Sequence, residues 1–341
     1  MFRIHRRAAA LLLSLICLFS LFSCGGSGKK TLESSETERI PLMTVDGFDV
    51  PLELYRYVAL NYKTDYEAAY SESVWTGDGA AEMIEKLNED VRATIVRLYT
   101  TLSLCRQYGI NEDDAYIRDA VEQKMTEIYE EADNDYEAFD EYLLTYNMTD
   151  GVYRFIVRND ILAEELLARM IQNGELPSEE EQLEALLVGP EFVRVKQILV
   201  PADNGKTEAE NSARAEELAE AAKSGGDFDE LVQKYGGDLF MFNNPDGYYI
   251  SRGNYHKAFE DAAFSLSPGE ISGVVRTDAG WSILKRCDKE AQYLTEHFDE
   301  LVDEYMRGRY NLKLEEYAAS LQAEPTEKLA EYTIFNLKST Y

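Results

Sequence analysis

Apolar residues recur at helical spacing through the first half of the chain. Leu52, Tyr55, Val58 and Ala59 share one face of a predicted helix, which Pro51 is placed to start. The same spacing predicts amphipathic helices over residues 80–108, 112–132, 136–146 and 149–172. The tyrosines and leucines on these helices are interpreted as lining of a core or groove rather than as cofactor ligands.

Local signals mark where these helices begin and end. Residues 40–50 alternate apolar and polar side chains around Asp46 and Gly47, which predicts a β-hairpin before the first helix. Asp49 is expected to cap the first helix and Asn111 the helix over residues 112–132, while Gly174 is expected to end the last one.

Strands and helices alternate in the second half of the chain. Residues 192–200 have the period of a strand, and an acidic helix over residues 208–224 follows. A further helix is predicted to start near Gly226. After Lys289 the helical period returns over residues 292–321, and the chain then has an apolar tail at residues 332–337.

The most specific motif lies between Ser251 and Leu284. It combines an aromatic pair, Tyr255 and Phe259, with a Pro268-Gly269 turn and two final strands. This block closely resembles the second half of a parvulin-type (PpiC, rotamase) peptidyl-prolyl isomerase domain, and the resemblance covers about residues 192–289. The helices on either side resemble the PrsA/SurA type of secretion chaperone.

The resemblance implies an α+β fold. A helical chaperone region is expected over residues 40–190, and a parvulin-like domain over residues 191–289 with a small antiparallel sheet surrounded by helices. Residues 290–341 are expected to form a C-terminal helix and tail that return to the chaperone region. The parvulin-like domain is thus predicted to be inserted into a discontinuous helical domain.

The resemblance also implies a ligand, which is a proline-containing polypeptide. Tyr255, Phe259 and Phe264 are expected to lie in or behind an apolar pocket for the prolyl ring. Rotation about an X-Pro amide has a barrier of ~18–20 kcal/mol, because amide resonance resists twisting. Such a pocket lowers the barrier by removing water from the amide and binding the twisted state best.

Two positions depart from the parvulin pattern. Gln197 and Ser282 stand where the family has histidines, and Asp238 stands where it has a cysteine or an aspartate. Strand alternation allows Gln197 and Ser282 to face inward and hydrogen-bond to each other, since both side chains donate and accept. Neither supplies an ionisable imidazole, so it is open at this point whether the domain is an enzyme.

Three functions are consistent with these residues. The first is a foldase whose parvulin-like domain isomerises prolyl bonds, and the second is a chaperone that binds unfolded, proline-containing chains with weak or lost turnover. The third is a lipoprotein that recruits one dedicated protein partner. The two histidine replacements favour the second function over the first.

The start of the chain predicts an export signal and a lipid anchor. Basic residues precede an apolar run over residues 8–22, and Leu21-Phe22-Ser23-Cys24 resembles a bacterial lipobox. Residues 1–23 are interpreted as a lipoprotein signal peptide, Cys24 as the acylated residue and residues 24–39 as a flexible tether. The predicted location is the extracytoplasmic face of the cell membrane.

Charge and composition narrow the range of ligands. A formal net charge of −30 argues against nucleic acid, which requires a basic face. Newly exported or unfolded polypeptides are the expected partners. Phosphate-loop, metal-ligand and nucleophile-elbow motifs are lacking, so neither a metal nor a cofactor is predicted. Cys105 and Cys287 fall in different predicted domains, which favours two buried free thiols. A disulfide between them is the alternative.

Overall fold

The computed structural model describes residues 40–132, 134–202 and 204–338. The predicted signal peptide, Cys24 and the tether lie outside the described residues. The chain divides into two units: unit 1 comprises residues up to Met170 and from Leu314 onward, and unit 2 comprises Ile171–Lys313. Unit 2 thus extends on both sides of the predicted 191–289 domain.

A three-stranded antiparallel sheet opens unit 1. Strands β1 (Pro41–Val45) and β2 (Phe48–Pro51) form the predicted hairpin, and both turn residues have positive φ, 50° at Asp46 and 78° at Gly47. Strand β7 (Ala323–Pro325) pairs with the other edge of β1, which gives the order β2-β1-β7. Sequence reasoning missed β7, since a three-residue strand has too little alternation to detect.

Five helices build the rest of unit 1: α1 (Leu52–Tyr70), α2 (Ala80–Gln107), α3 (Ala115–Glu131), α4 (Tyr136–Thr145) and α5 (Asp150–Gln172). A 3-10 turn at Glu72–Trp75 follows α1. Residues four apart on α2, Leu87, Val91 and Ile95, are fully buried, as the helical period predicts. A second apolar cluster joins α3, α4 and α5 around Met125, Leu143 and Val157.

Two predicted helix caps are wrong. Residue Asp114 occupies the position before α3, and the Asn111 side chain instead accepts a hydrogen bond from the Asp113 backbone N–H. The predicted Asp49 cap is also wrong, because Pro51 directly precedes α1 and no side chain caps that helix. Gly174 follows α5 with a φ of 75°, a left-handed conformation that favours glycine and ends the helix as predicted.

Unit 2 contains a four-stranded antiparallel sheet of β3 (Val193–Pro201), β4 (Tyr248–Ile250), β5 (Ile271–Thr277) and β6 (Gly280–Cys287), in the order β4-β3-β6-β5. Seven helices accompany it: α6 (Glu180–Val188), α7 (Glu208–Lys223), α8 (Phe228–Tyr235), α9 (Leu239–Asn243), α10 (Lys257–Ser265), α11 (Ala291–Glu296) and α12 (Phe298–Ala318), the last of which runs past the end of the unit. The α+β fold class is therefore confirmed.

Each face of this sheet has its own core. Ile198, Trp281 and Ile283 point to the face covered by α7 and α8. Val195 and Leu284 point to the opposite face, where Phe259 and Ala263 of α10 cover them. Alternation of side chains along β3 and β6 separates these two sets, and it brings Gln197 to the α10 face.

The long helix predicted over residues 292–321 is interrupted at His297. The backbone there has φ −110° and ψ 23°, which separates α11 from α12. The rings of Tyr249, Tyr293 and His297 stack in series, with centroids 4.1 Å apart at each step. This stack packs the interruption against β4. No helix within the described ranges is both long and apolar enough to cross a membrane.

Candidate functional site

A small apolar cavity lies on the α10 face of the unit 2 sheet. Its volume is about 200 Å³, below the ~300–1,000 Å³ typical of sites for drug-sized ligands, so it suits a single ring. The lining residues are Gln197, Leu199, Tyr248, Tyr255, His256, Phe259, Thr277, Asp278, Ala279 and Ser282. Four of the predicted site residues are therefore brought together: Gln197, Ser282, Tyr255 and Phe259.

The sheet positions Gln197 and Ser282 on the cavity floor. In the β3–β6 ladder Gln197 is opposite Leu284, and Ser282 is opposite Leu199. The two polar residues thus occupy diagonal positions on one face, and both are buried. The Gln197 amide, however, donates to Asp238 Oδ2 at 2.5 Å and to the Tyr248 hydroxyl at 3.3 Å, rather than to Ser282.

Asp238 is the centre of a buried polar network next to the cavity. Its Oδ2 accepts from Gln197 and, at 2.6 Å, from the Tyr248 hydroxyl, while its Oδ1 accepts from the Phe240 backbone N–H at 2.9 Å. Asp238 is not among the lining residues. The carboxylate therefore fixes the groups that do line the cavity, and it caps α9 at the same time.

Aromatic rings form the opposite wall. Tyr255 and Phe259 stack with centroids 5.6 Å apart, and Tyr248 meets the Phe259 ring edge-to-face at 6.3 Å. Burial raises the pKa of Tyr248 above its ordinary range, and the hydrogen bond to Asp238 adds to this effect. Burial also raises the pKa of Tyr255. Both phenols therefore remain neutral hydrogen-bond donors at physiological pH.

Glu260 shapes the loop that carries Tyr255. Its Oε1 accepts from three consecutive backbone N–H groups, those of Gly253, Asn254 and Tyr255, at 2.7 to 3.0 Å. The Glu260 side chain is buried, so these charge-assisted bonds are strong. His256 completes the loop, because its Nδ1 accepts from the Ala258 N–H and caps α10.

Helix α12 supports the same loop from outside the 191–289 range. Asn311 donates to the Gly253 carbonyl at 2.9 Å, and Asn254 donates to the Glu304 carbonyl at 2.7 Å. Gly253 and Gly308 allow the two backbones to touch, since a Cβ on either residue would overlap backbone atoms of the other segment. The wall of the cavity therefore depends on a helix that follows the last strand.

Phe264 lies outside the cavity lining. It is half-buried at the edge of the α10 cluster, and the Arg252 guanidinium lies 4.4 Å from its ring centroid.

Cys105 is buried in unit 1 and Cys287 is half-buried in unit 2, and both are free thiols. Within the described ranges, no group of three or more His, Cys, Asp or Glu side chains is placed to hold a metal ion.

Sequence reasoning missed several residues of the site. Tyr248 sits on a three-residue strand, and its role depends on the distant partner Asp238. Glu260 has the pattern of an exposed helical residue, and only the fold of the preceding loop brings backbone N–H groups to it. Neither contact is marked by a local pattern in the sequence.

Comparison with known proteins agrees with this geometry. Residues 194–288 match the model of the rotamase family, described as the PPIC-type PPIASE domain. The chain is 34% identical over 107 residues to the chaperone SurA of Nitrosococcus oceani, covering 31% of this chain and 25% of that protein. It is 26% identical over 299 residues to the foldase protein PrsA of Caldanaerobacter subterraneus, covering 82% of each.

A solved structure of the foldase protein PrsA from Streptococcus pneumoniae is 15% identical, with a TM-score of 0.35, over 82% of this chain and 91% of that one. The cavity and the matched family model define residues 194–288 as a parvulin-type domain. Residues 194–288 match the PPIC-type parvulin family, and the chain as a whole is similar to foldase proteins named PrsA. These relatives support a role as a foldase or chaperone.

Proposed function

We propose that this protein is an extracytoplasmic, lipid-anchored folding factor. Its parvulin domain binds prolyl segments of unfolded polypeptides and has weak or lost isomerase activity. The observation that carries the proposal is the composition of the cavity, in which aromatic rings enclose a space for one ring while Gln197 and Ser282 occupy the floor. The aromatic rings that suit a prolyl ring are present, whereas the two histidines of the parvulin pattern are replaced.

The aromatic wall accounts for binding. A prolyl ring that enters the cavity contacts Tyr255 and Phe259 and leaves water, which stabilises the complex in proportion to the apolar area buried. The tertiary amide before the proline has no N–H, so its nitrogen needs no hydrogen-bond acceptor from the wall. Shape and burial alone therefore select proline over residues with a free amide N–H.

Turnover requires more than binding. The domain must bind the twisted amide more tightly than either planar isomer. Asp238 accepts from Gln197, Tyr248 and the Phe240 N–H, so its carboxylate is engaged in holding the site together. The floor then offers a neutral amide and a hydroxyl in place of the two histidines, so it has no ionisable imidazole with which to favour the twisted amide. This supports slow isomerisation.

Restoring the histidines tests the proposal. The wild-type chain is expected to bind proline peptides with an isomerisation rate near background. The double variant Gln197→His/Ser282→His is expected to raise the rate by about tenfold or more while changing peptide affinity by less than threefold, since tenfold corresponds to about 1.4 kcal/mol of interaction gained only in the twisted state. A protease-coupled isomerisation assay and calorimetric titration measure the two quantities.

The matched control is Gln197→Ala/Ser282→Ala, which removes the same side chains without adding imidazoles. It is expected to leave the rate near background. A wild-type rate well above background would instead establish an active isomerase whose histidine pair is dispensable. Loss of peptide binding in the control alone would locate the ligand on the floor rather than on the aromatic wall.

The lipid anchor has its own test, based on Cys24 at the predicted signal cleavage point. Changing Cys24 to alanine is expected to release the protein from membranes or leave its signal uncleaved, because the acylated thiol is lost. Ser27→Ala in the tether is the control and should remain membrane-bound. Fractionation and mass spectrometry of the mature N-terminus report the outcome, and a mature start elsewhere without lipid would contradict the anchor.

A further inference from the structure

Exposed apolar side chains are concentrated beside the cavity. Among the described residues, ten large hydrophobic side chains are exposed, and three of these lie on the five-residue helix α9. Leu239 is 77% exposed, Phe240 42% and Phe242 40%. We call these three residues the α9 surface. Contiguous apolar patches on folded proteins mark binding sites, whereas single exposed apolar residues do not.

The α9 surface is held in place rather than loosely attached. Met241, on the other side of the helix, is buried in the core formed with α7 and α8. Asp238 caps the helix through the Phe240 N–H. The helix is thus anchored at its start and along one side, and its remaining sides carry leucine and phenylalanine toward solvent.

The α9 surface is continuous with the cavity. The Phe240 ring stacks on Tyr248 with centroids 4.3 Å apart, and Tyr248 lines the cavity together with Phe259. Consecutive residues of an extended peptide are about 3.3–3.6 Å apart. A chain with its prolyl ring in the cavity therefore brings residues one or two positions away over Phe240 and its neighbours.

We propose that the α9 surface binds apolar side chains of the polypeptide segment that flanks the prolyl residue. This inference rests on the proposed function, and it narrows the ligand class to proline next to leucine, phenylalanine or similar residues. Such segments are buried in folded proteins and exposed in unfolded ones. The α9 surface thereby gives the parvulin domain a preference for unfolded clients.

Two proline peptides test the inference, one with leucine and phenylalanine within two positions on both sides of the proline and one with serine there. The wild-type chain is expected to bind the apolar peptide about tenfold more tightly, on the scale of one partly buried apolar side chain. The double variant Leu239→Ser/Phe242→Ser is expected to lose this difference and to bind the serine peptide as the wild type does. Phe240 is left unchanged because it packs on Tyr248.

Val188→Ser is the matched control, since Val188 is 66% exposed on α6 of the same unit and lies outside the α9 surface. It should retain the tenfold preference.

Equal wild-type affinity for both peptides would overturn the inference and leave the proposed function standing. Absence of binding to either peptide would overturn the proposed function itself. A double variant that keeps the preference but changes the molecular mass in light scattering would assign the α9 surface to self-association and overturn the inference.

Discussion

Replacing Phe259 with alanine is expected to weaken binding of a proline peptide by about 2 kcal/mol, or about thirtyfold, the scale of an aromatic anchor at a binding site. Phe259 lines the cavity, stacks on Tyr255 and meets Tyr248. Its removal opens the wall and leaves the two tyrosines without their common neighbour. Calorimetric titration with one proline peptide measures the effect.

The same helix offers a matched control in Phe264. That residue packs beside Arg252 and lies outside the cavity lining, so Phe264→Ala should lower thermal stability with less than a threefold change in affinity. Equal losses of affinity in both variants would mean that α10 itself is disrupted. Phe259→Leu, which restores apolar volume without a ring, should recover part of the affinity.

The second large effect is expected at Gly308, on a helix that follows the parvulin domain. In an exposed helix, changing glycine to alanine stabilises by about 1 kcal/mol. Here the added Cβ would overlap the Arg252 carbonyl, so Gly308→Ala should destabilise unit 2 by ~1–3 kcal/mol. It should also weaken peptide binding severalfold, because the displaced backbone carries Tyr255.

Arg309→Ala provides the comparison, since Arg309 is the exposed neighbour of Gly308 on α12. It should change neither stability nor affinity appreciably. Asn311→Ala removes the hydrogen bond to the Gly253 carbonyl without adding bulk, and it is expected to lower affinity more than stability. A Gly308→Ala chain that is more stable than the wild type and binds normally would refute the support of the loop by α12.

The two-residue period of the strands and the parvulin-like motif between Ser251 and Leu284 predict much of this site. Alternation along β3 and β6 correctly put Gln197 and Ser282 on one face, because a strand has a fixed two-residue repeat. The aromatic pair Tyr255 and Phe259 was identified from the motif and lies on the cavity wall. These features are local, so the sequence around each residue is sufficient to predict them.

Tertiary partners were not predictable in the same way. Strand alternation allows Gln197 to reach Ser282, yet the loop after α8 brings the Asp238 carboxylate closer. A carboxylate is a stronger acceptor than a hydroxyl, so the amide donates to it. Likewise, no local pattern indicates that α12 would support the loop before α10, since only the fold brings Gly308 to Gly253.

The pairing of β7 with β1 constrains the order in which the chain acquires its structure. Every strand of the unit 2 sheet comes from one contiguous stretch, whereas the unit 1 sheet needs residues from both ends of the described chain. During synthesis or export from the N-terminus, unit 2 is therefore complete before β7 is available, and one edge of β1 stays unpaired until then. An unpaired strand edge invites pairing with other chains. Addition of β7 therefore completes the unit 1 sheet late, and it covers a strand edge that would otherwise be open to other chains.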